Sequence, residues 1–424
     1  EYSEQRSECS DRDLDRQLFW GDLHVHTALS SDAYAFEVGV TPAQAYRYAQ
    51  GDSVELPLRD ATGLRTRRAR IDRPLDFAAV TDHAEFLGEV SLCSSRMSDA
   101  YASAGCQRYR DAVGKGSRGG PFGAIIVNPR PARIESICGA DGLACRAAAN
   151  DVWARIRRDA ESAYDRSAEC RFTSFVGYEY TSHRLGANLH RNVIFRNGQV
   201  PALPTSYVDA PNEWDLWERL RSECNDSPKL YFCEALAIPH NSNISSGRMF
   251  AVDYPGAKRR DEQAARAALR ERMEPLVEVA QHKGDSECRP GLAGVLGDGD
   301  EECAFEKLRP VDTWADPCPE GEAAQDTLYR GTGCESRLSY ARYALVEGLR
   351  ESERLGVNPF RFGLMASTDT HNGTPGAVSE AHYDGHLGIG DDLPEDRAST
   401  DWKVPGNAQA AATTAAISWI SIWA

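Results

Sequence analysis

The chain has 424 residues, 64 acidic against 48 basic side chains, and a formal net charge of −16. That balance excludes the broad basic face that a nucleic acid or an anionic membrane surface would require. No apolar run approaches the ~20 residues needed to cross a bilayer, and the length suits either two or three domains or one barrel enlarged by inserts.

Residues 1–16 are charged and read as a peripheral arm. Beyond them, short apolar runs of strand length recur, with helical patterns between several of them. The first, LFWGDLHVH (18–26), closes on His24 and His26. Two residues apart, they share one face of an extended strand, which suits either a shared cation or a wet sheet face. LDFAAVTDH (75–83) ends in His83, FTSFVGYEY (172–180) carries Glu179, and HRNVIF (190–195) opens with His190. ALAIPHN (235–241) carries His240, LVEVAQH (276–282) ends in His282, and FGLMASTDTH (362–371) carries Asp369 and His371. Helical patterns occupy 150–166, 257–273 and 336–356. Strand and helix in alternation predict a parallel α/β fold. Ligand-type residues collected at strand ends predict a site at the C-terminal mouth of a barrel. Segments 84–150 and 284–335 read as long inserts, loops stapled over one barrel spanning 17–424.

The twelve cysteines contain no Cys-x-x-Cys pair, which excludes zinc ribbons and thioredoxin-type motifs. An even, scattered set fits disulfides in an oxidising compartment, secreted or periplasmic. Cys138 with Cys145 and Cys288 with Cys303 are candidate local pairs. The chain opens at Glu1 with neither Met nor signal peptide, as a processed secreted protein, or a trimmed one, would. Its apolar tail, AAATTAAISWISIWA, reads as a last strand or a cut end.

Taken together, DLHVHT, SSDAY, TDH, GYE, HRN, IPH and STDTH resemble the PHP (polymerase and histidinol phosphatase) superfamily over about residues 18–376. The wording is closest to a PHP-like group catalogued as a domain of unknown function. The resemblance implies a distorted seven-stranded (β/α) barrel of PHP type with two or three divalent metal ions at its mouth. Carried onto this sequence, it implies His24, His26, Glu179 and Asp369 around one metal. Glu179, shared, would join His190 and His240 around a second, and Asp32, His83 and His371 would surround a third. Asp32 stands where many relatives have histidine. Mixed imidazole and carboxylate ligands suit Zn²⁺, Mn²⁺ or Fe²⁺, with zinc or manganese preferred in a Cys-rich secreted chain.

The implied activity is metal-dependent hydrolysis of a small anionic phosphate ester, mono- or diester, by hydroxide formed at the metals. Glu179 and Asp369 would stand at the reacting centre. His282 would bind substrate, protonate the leaving group, or stand as a polar rim residue. Hydrolysis of C–N or C–O bonds, or a non-catalytic metal-containing binding protein, are the alternatives.

Asp82 either steadies a ligand histidine or caps a helix. Alternation sends Arg191 away from the metals, and Lys283 reads as solvated rather than phosphate-binding. His183, Arg184, His382 and His386 either line the pocket or lie on the surface. GDGDEE (297–302) reads as a solvated acidic loop rather than a calcium turn. The sequons at Asn243 and Asn372 are predicted to stay unglycosylated, lying almost on the site; a third is at Asn225. The sequence carries no signal for an oligomeric state.

Overall fold

A computed structural model of the chain describes residues 6–13, 17–57, 67–114, 122–230, 232–289, 301–304, 307–308, 318, 335–379, 383–392, 402–404 and 408–410. The architecture is mixed α/β. Strand β1 (Gly21–Asp22) leads to helices α1 (Ser31–Ala35) and α2 (Pro42–Ala49). Thr41 and Gln44 cap α2 reciprocally, with Pro42 opening the first turn, so its free N–H groups are met locally. An antiparallel pair, β2 (Ser53–Glu55) and β3 (Arg68–Arg70), precedes β4 (Phe77–Val80). Helices α3 (Leu87–Ser94), α4 (Ala104–Ala112), α5 (Gly123–Ile126), α6 (Glu135–Cys138) and α7 (Leu143–Ala163) follow.

Next come β5 (Thr173–Tyr180), β6 (Arg191–Phe195), α8 (Glu213–Leu220), β7 (Ala235–Pro239) and α9 (Arg260–Met273). After these lie β8 (Leu276–Gln281), β9 (Gly284–Asp285), α10 (Ala341–Leu355) and β10 (Gly363–Ala366). A last antiparallel pair joins β11 (Trp402–Val404) to β12 (Ala408–Ala410). The expected helices are present, and α7 starts earlier than its apolar pattern because LACRAAAN is rich in alanine, the strongest helix former.

One sheet runs β1-β4-β5-β6-β7, and a second runs β10-β8-β9. β1, β4 and β5 are parallel, but β6 and β7 are each antiparallel to their neighbours. The all-parallel expectation fails there because no α-helix lies between Tyr180 and Arg191, and a parallel return needs a longer crossover. Among the described residues the ladders make a curled five-stranded sheet and a separate three-stranded one, without an unbroken hydrogen-bonded ring of seven. A parallel bridge between Val25 and Thr370 joins the two, with His26 N donating to Thr370 O at 2.8 Å.

The period of two along these strands decides what each face does. Leu23, Ala79, Ile194, Ile238 and Met365 form one inner apolar cluster, with Phe77, Phe175, Leu236 and Leu276 packed against it. Their alternates, among them Val80, Val176, Tyr178, Tyr180, Val193, Phe195 and Ala237, join the main core with Tyr46 of α2, Trp153 of α7 and Trp217 of α8. Trp153 is fully buried, so truncation to alanine would cost ~3–5 kcal/mol. The same alternation carries His83, Glu179, His190, His240 and His282 onto the inner side. The apolar cluster is therefore a floor, and polar residues stand above it.

The described residues of 84–150 are stapled as expected, by Cys93–Cys106 and Cys138–Cys145, but they are helical rather than loop. They fold into short helices whose apolar faces need a core, and Phe86, Val90, Tyr109, Phe122 and Ile137 supply one. The expected pairings Cys138–Cys145 and Cys288–Cys303 are present, alongside Cys93–Cys106, Cys224–Cys233 and Cys9–Cys170. Cys9–Cys170 ties the N-terminal arm down, with Ser7 N donating to Arg166 O and Ser10 N to Ala168 O. Among the described residues no helix is long and apolar enough to cross a membrane. His382, most of the 284–335 insert with the GDGD stretch, and the apolar tail lie outside the described residues.

Candidate metal centre

Glu179 stands on the inner face of β5, next to last in the strand. Its two oxygens divide the pocket. Oε2 lies 3.4 Å from His24 Nε2, 3.1 Å from His26 Nε2 and 3.4 Å from His83 Nδ1. Oε1 lies 2.6 Å from His190 Nδ1 and 3.2 Å from His240 Nε2. Asp369, beyond β10, sets Oδ1 3.1 Å from both His24 Nε2 and His26 Nε2. Its backbone is in the left-handed region at φ 54°, a strained conformation of the kind that collects at functional sites. Asp32, in the first turn of α1, directs Oδ2 at His83 Nε2 (3.0 Å) and His371 Nε2 (2.9 Å). All nine residues singled out as ligands thus lie close together around Glu179, Asp369 and Asp32.

Hydrogen bonds behind the pocket fix which ring nitrogen faces it. Ser30 Oγ donates to Asp82 Oδ1 at 3.0 Å, so at 2.8 Å from His26 Nδ1 it accepts a proton from that ring. His371 Nδ1 donates to Asp369 O at 2.9 Å. His83 Nδ1 meets Thr181 Oγ1 at 2.5 Å, and that hydroxyl donates onward to Glu179 Oε1. In the neutral ring, each Nε2 then carries a lone pair aimed at a carboxylate oxygen about three ångströms off. Such an arrangement repels unless a proton or a cation lies between. His24 Nε2, His26 Nε2 and Asp369 Oδ1 are buried without hydrogen-bond partners, which suits atoms able to ligate a metal. Clusters of His26, Asp32, His83 and His371, of His24, Glu179 and His240, and of His24, His26 and Asp369 could each hold an ion.

The local charges agree. Burial pushes Glu179 up, yet His83, His240 and His190 outweigh it and hold the carboxyl well below its usual range. Asp369 is held down against burial by His24, Lys283 and His282, and Asp32 by His83 and His371. Burial opposes charge on His24 and His83, but Asp369 and Glu278 lift the first well above its ordinary value, and Asp32 with Glu179 lifts the second to about 10. His240 and His371 are lowered, with burial the leading cause. The pocket therefore offers ionised carboxylates beside imidazoles of two kinds. His240 and His371 are biased to the neutral form, and His24, His26 and His83 to hold a proton that a cation would have to displace. Unprotonated, these rings complete the donor set that zinc or manganese takes.

His282 joins the pocket, with Nε2 2.9 Å from Asp369 Oδ2. Lys283 does not point into solvent as expected. It pairs with Asp369 Oδ2, because the short β8–β9 turn folds its chain back over the pocket. Asp82 does not cap a helix; it accepts from Thr27 N, Thr27 Oγ1 and Ser30 Oγ, and so steadies His26 through Ser30. Arg191 faces away, with Nε on Glu274 Oε1 at 2.7 Å. The ring of His183 packs on His190 at 4.4 Å, and that of His386 on His282 at 3.8 Å, so both line the site. Arg184 is exposed. The amides of Asn225, Asn243 and Asn372 are spent on backbone carbonyls of Ala235, Lys283 and Gly385.

Two further acids stand beside the site without having been singled out. Glu278 meets His24 Nδ1 with both carboxylate oxygens at 3.1 Å. Its signal was parity: it lies four residues before His282, on the same face of β8. Glu85 accepts from Thr181 N and Tyr207 N and is pushed up to about 7 by burial. A further cluster, Glu89 with Cys138 and Cys145, offers no thiolate because the cysteines are bonded to each other.

The family described as "Protein of unknown function (DUF3604)" matches residues 13–424, and the chain belongs to it. No curated protein and no solved structure matches the chain.

Proposed function

We propose that the chain is a metal-dependent hydrolase of small phosphate esters, built on a distorted PHP-type barrel and working in a secreted or periplasmic setting. The observation that carries this reading is the convergence of His24, His26, His83, His190 and His240 on the single carboxylate of Glu179. The inner apolar floor supports the barrel, since it draws on β4 to β8, β10 and the end of β1. The Val25–Thr370 bridge supports its closure, and the disulfides support an oxidising compartment.

His24, His26, Glu179 and Asp369 would hold one divalent cation, Glu179 with His190 and His240 a second, and Asp32 with His83 and His371 a third. Bound there, such cations acidify water and offset the negative charge of phosphoryl transfer. The chain's own groups do the remaining work. Lys283 brings a positive charge to the rim, where a phosphoryl oxygen would bind. His282, held well below its ordinary value by burial and by the neighbouring His386 and Lys283, would bind substrate at the rim. The leaving oxygen would take its proton from water as the P–O ester bond breaks and the water oxygen joins phosphorus. C–N hydrolysis through a carbamylated lysine fits less well. Lys283 is the lysine at the pocket, and a carbamate there would set a second negative charge against Asp369.

The test is elemental analysis of the purified protein, followed by a panel of nitrophenyl phosphate mono- and diesters, carboxylic esters and anilides. Bound zinc or manganese, phosphate ester cleavage lost to a chelator, and loss of turnover in His26→Ala are expected. Cleavage confined to esters or anilides, or a metal-loaded protein that turns over none of the panel, would overturn it.

A further inference from the structure

Glu278 is a carboxylate in the middle of a strand, with its side chain fully buried. Below it on the same face of β8 is Leu276, part of the apolar floor. An isolated ionised carboxylate in such a place costs several kcal/mol. Arginine or lysine commonly offsets that cost, but among the described residues no ion pair brings either to Glu278. Its partner is His24 Nδ1, 3.1 Å from each carboxylate oxygen. On the far side of the same ring, Nε2 lies 3.1 Å from Asp369 Oδ1 and 3.4 Å from Glu179 Oε2 and has no hydrogen-bond partner.

One imidazole therefore stands between a buried carboxylate and the candidate metal pocket. A carboxylate on one ring nitrogen requires the proton there, which leaves the other nitrogen's lone pair for a cation. The remaining histidines facing Glu179 Oε2 or Asp32 are backed by a hydroxyl or a backbone carbonyl. His24 alone among them is backed by a negative charge, so its ring is the most strongly polarised.

We propose that Glu278 is the positioning residue for His24. It fixes the Nδ1–H tautomer, aims Nε2 at the Glu179–Asp369 pocket, and strengthens His24 as a ligand without touching the cation. The proposal rests on the metal-binding reading above.

The test compares the full-length protein with Glu278→Gln and Glu278→Ala, using Zn²⁺ alone as probe in competition with a chromophoric chelator. Glu278→Gln and Glu278→Ala are expected to bind the His24 metal about 10- to 100-fold more weakly, with the stoichiometry kept and Glu278→Asp recovering part of the loss. A packing role alone would lower thermal stability and leave zinc affinity unchanged; that result overturns the proposal while the metal reading stands. Wild-type protein that binds no zinc would overturn both. Should the variants fail to fold, nitrogen and proton NMR of the zinc-loaded wild-type protein decides. A slowly exchanging, downfield proton on His24 Nδ1 is expected, and a proton on Nε2 overturns the proposal.

Discussion

Replacing Glu179 by glutamine keeps the volume and removes the charge. The structure sets what should follow. Glu179 Oε1 is the carboxylate oxygen facing His190 and His240, at 2.6 and 3.2 Å, so that group is left with imidazoles and a neutral amide. The His24–His26 group keeps Asp369, and the Asp32–His83–His371 group keeps Asp32, losing only the Glu179 charge 3.4 Å from His83 Nδ1. Loss of an outer partner costs ~10–100-fold in metal affinity. Loss of a shared ligand charge should cost at least ~100-fold at the His190–His240 group, or about 2.8 kcal/mol. Metal content after dialysis at buffered free zinc should fall by one equivalent or more, while circular dichroism stays unchanged. In chelator-treated protein the substitution also breaks a buried charge cluster, an effect of about 3–5 kcal/mol, so the melting temperature should drop. Wild-type zinc content and affinity in folded Glu179→Gln would refute the shared-carboxylate argument.

Metal affinity should rise with pH through the neutral range and on toward about pH 10, because bound metal needs an unprotonated ring. Metal-free His83 keeps its proton up to about 10; zinc added in weak buffer should therefore release protons, and a flat affinity profile would contradict this. Ser30→Ala removes the hydroxyl that accepts from His26 Nδ1 and from His83 N, at 2.8 and 3.1 Å. It should weaken zinc binding about tenfold, as read by chelator competition. Arg133→Ala strands the buried carboxylate of Glu89, which Arg133 meets at 3.0 Å. It should destabilise the helical segment by about 3 kcal/mol, measurable by urea denaturation with activity retained below the transition.

The candidate ligand set was legible because its chemistry is written locally: a His-x-His, an Asp-x-His, and histidines closing apolar runs. Its groupings came from family resemblance, and the clusters found coincide with them only in part, since His26 also falls with Asp32, His83 and His371, and His24 with Glu179 and His240. Four features were not legible. Lys283 depends on how tightly β8 turns into β9, which the residues QHKGD do not state. The helices of 84–150 were hidden because their apolar residues serve a local core of their own, broken by glycines and cysteines. Direction in the sheet was misjudged between β5 and β6, where strand-like patterns of either orientation look alike. Glu278 was passed over because a charge inside an apolar run resembles an edge position until the strand's facing is fixed.

The inner apolar floor also limits how such a chain can evolve. On β5, Phe175 belongs to the floor, Tyr178 and Tyr180 to the opposite core, and Glu179 to the pocket. Deleting one codon between Phe175 and Glu179 would rotate everything beyond it by half a turn, exchanging tyrosine for carboxylate. Deleting two would restore the facing but shorten the reach. Point substitutions can accumulate along these strands, whereas single-residue gaps should be confined to the connecting segments, where length is free to drift.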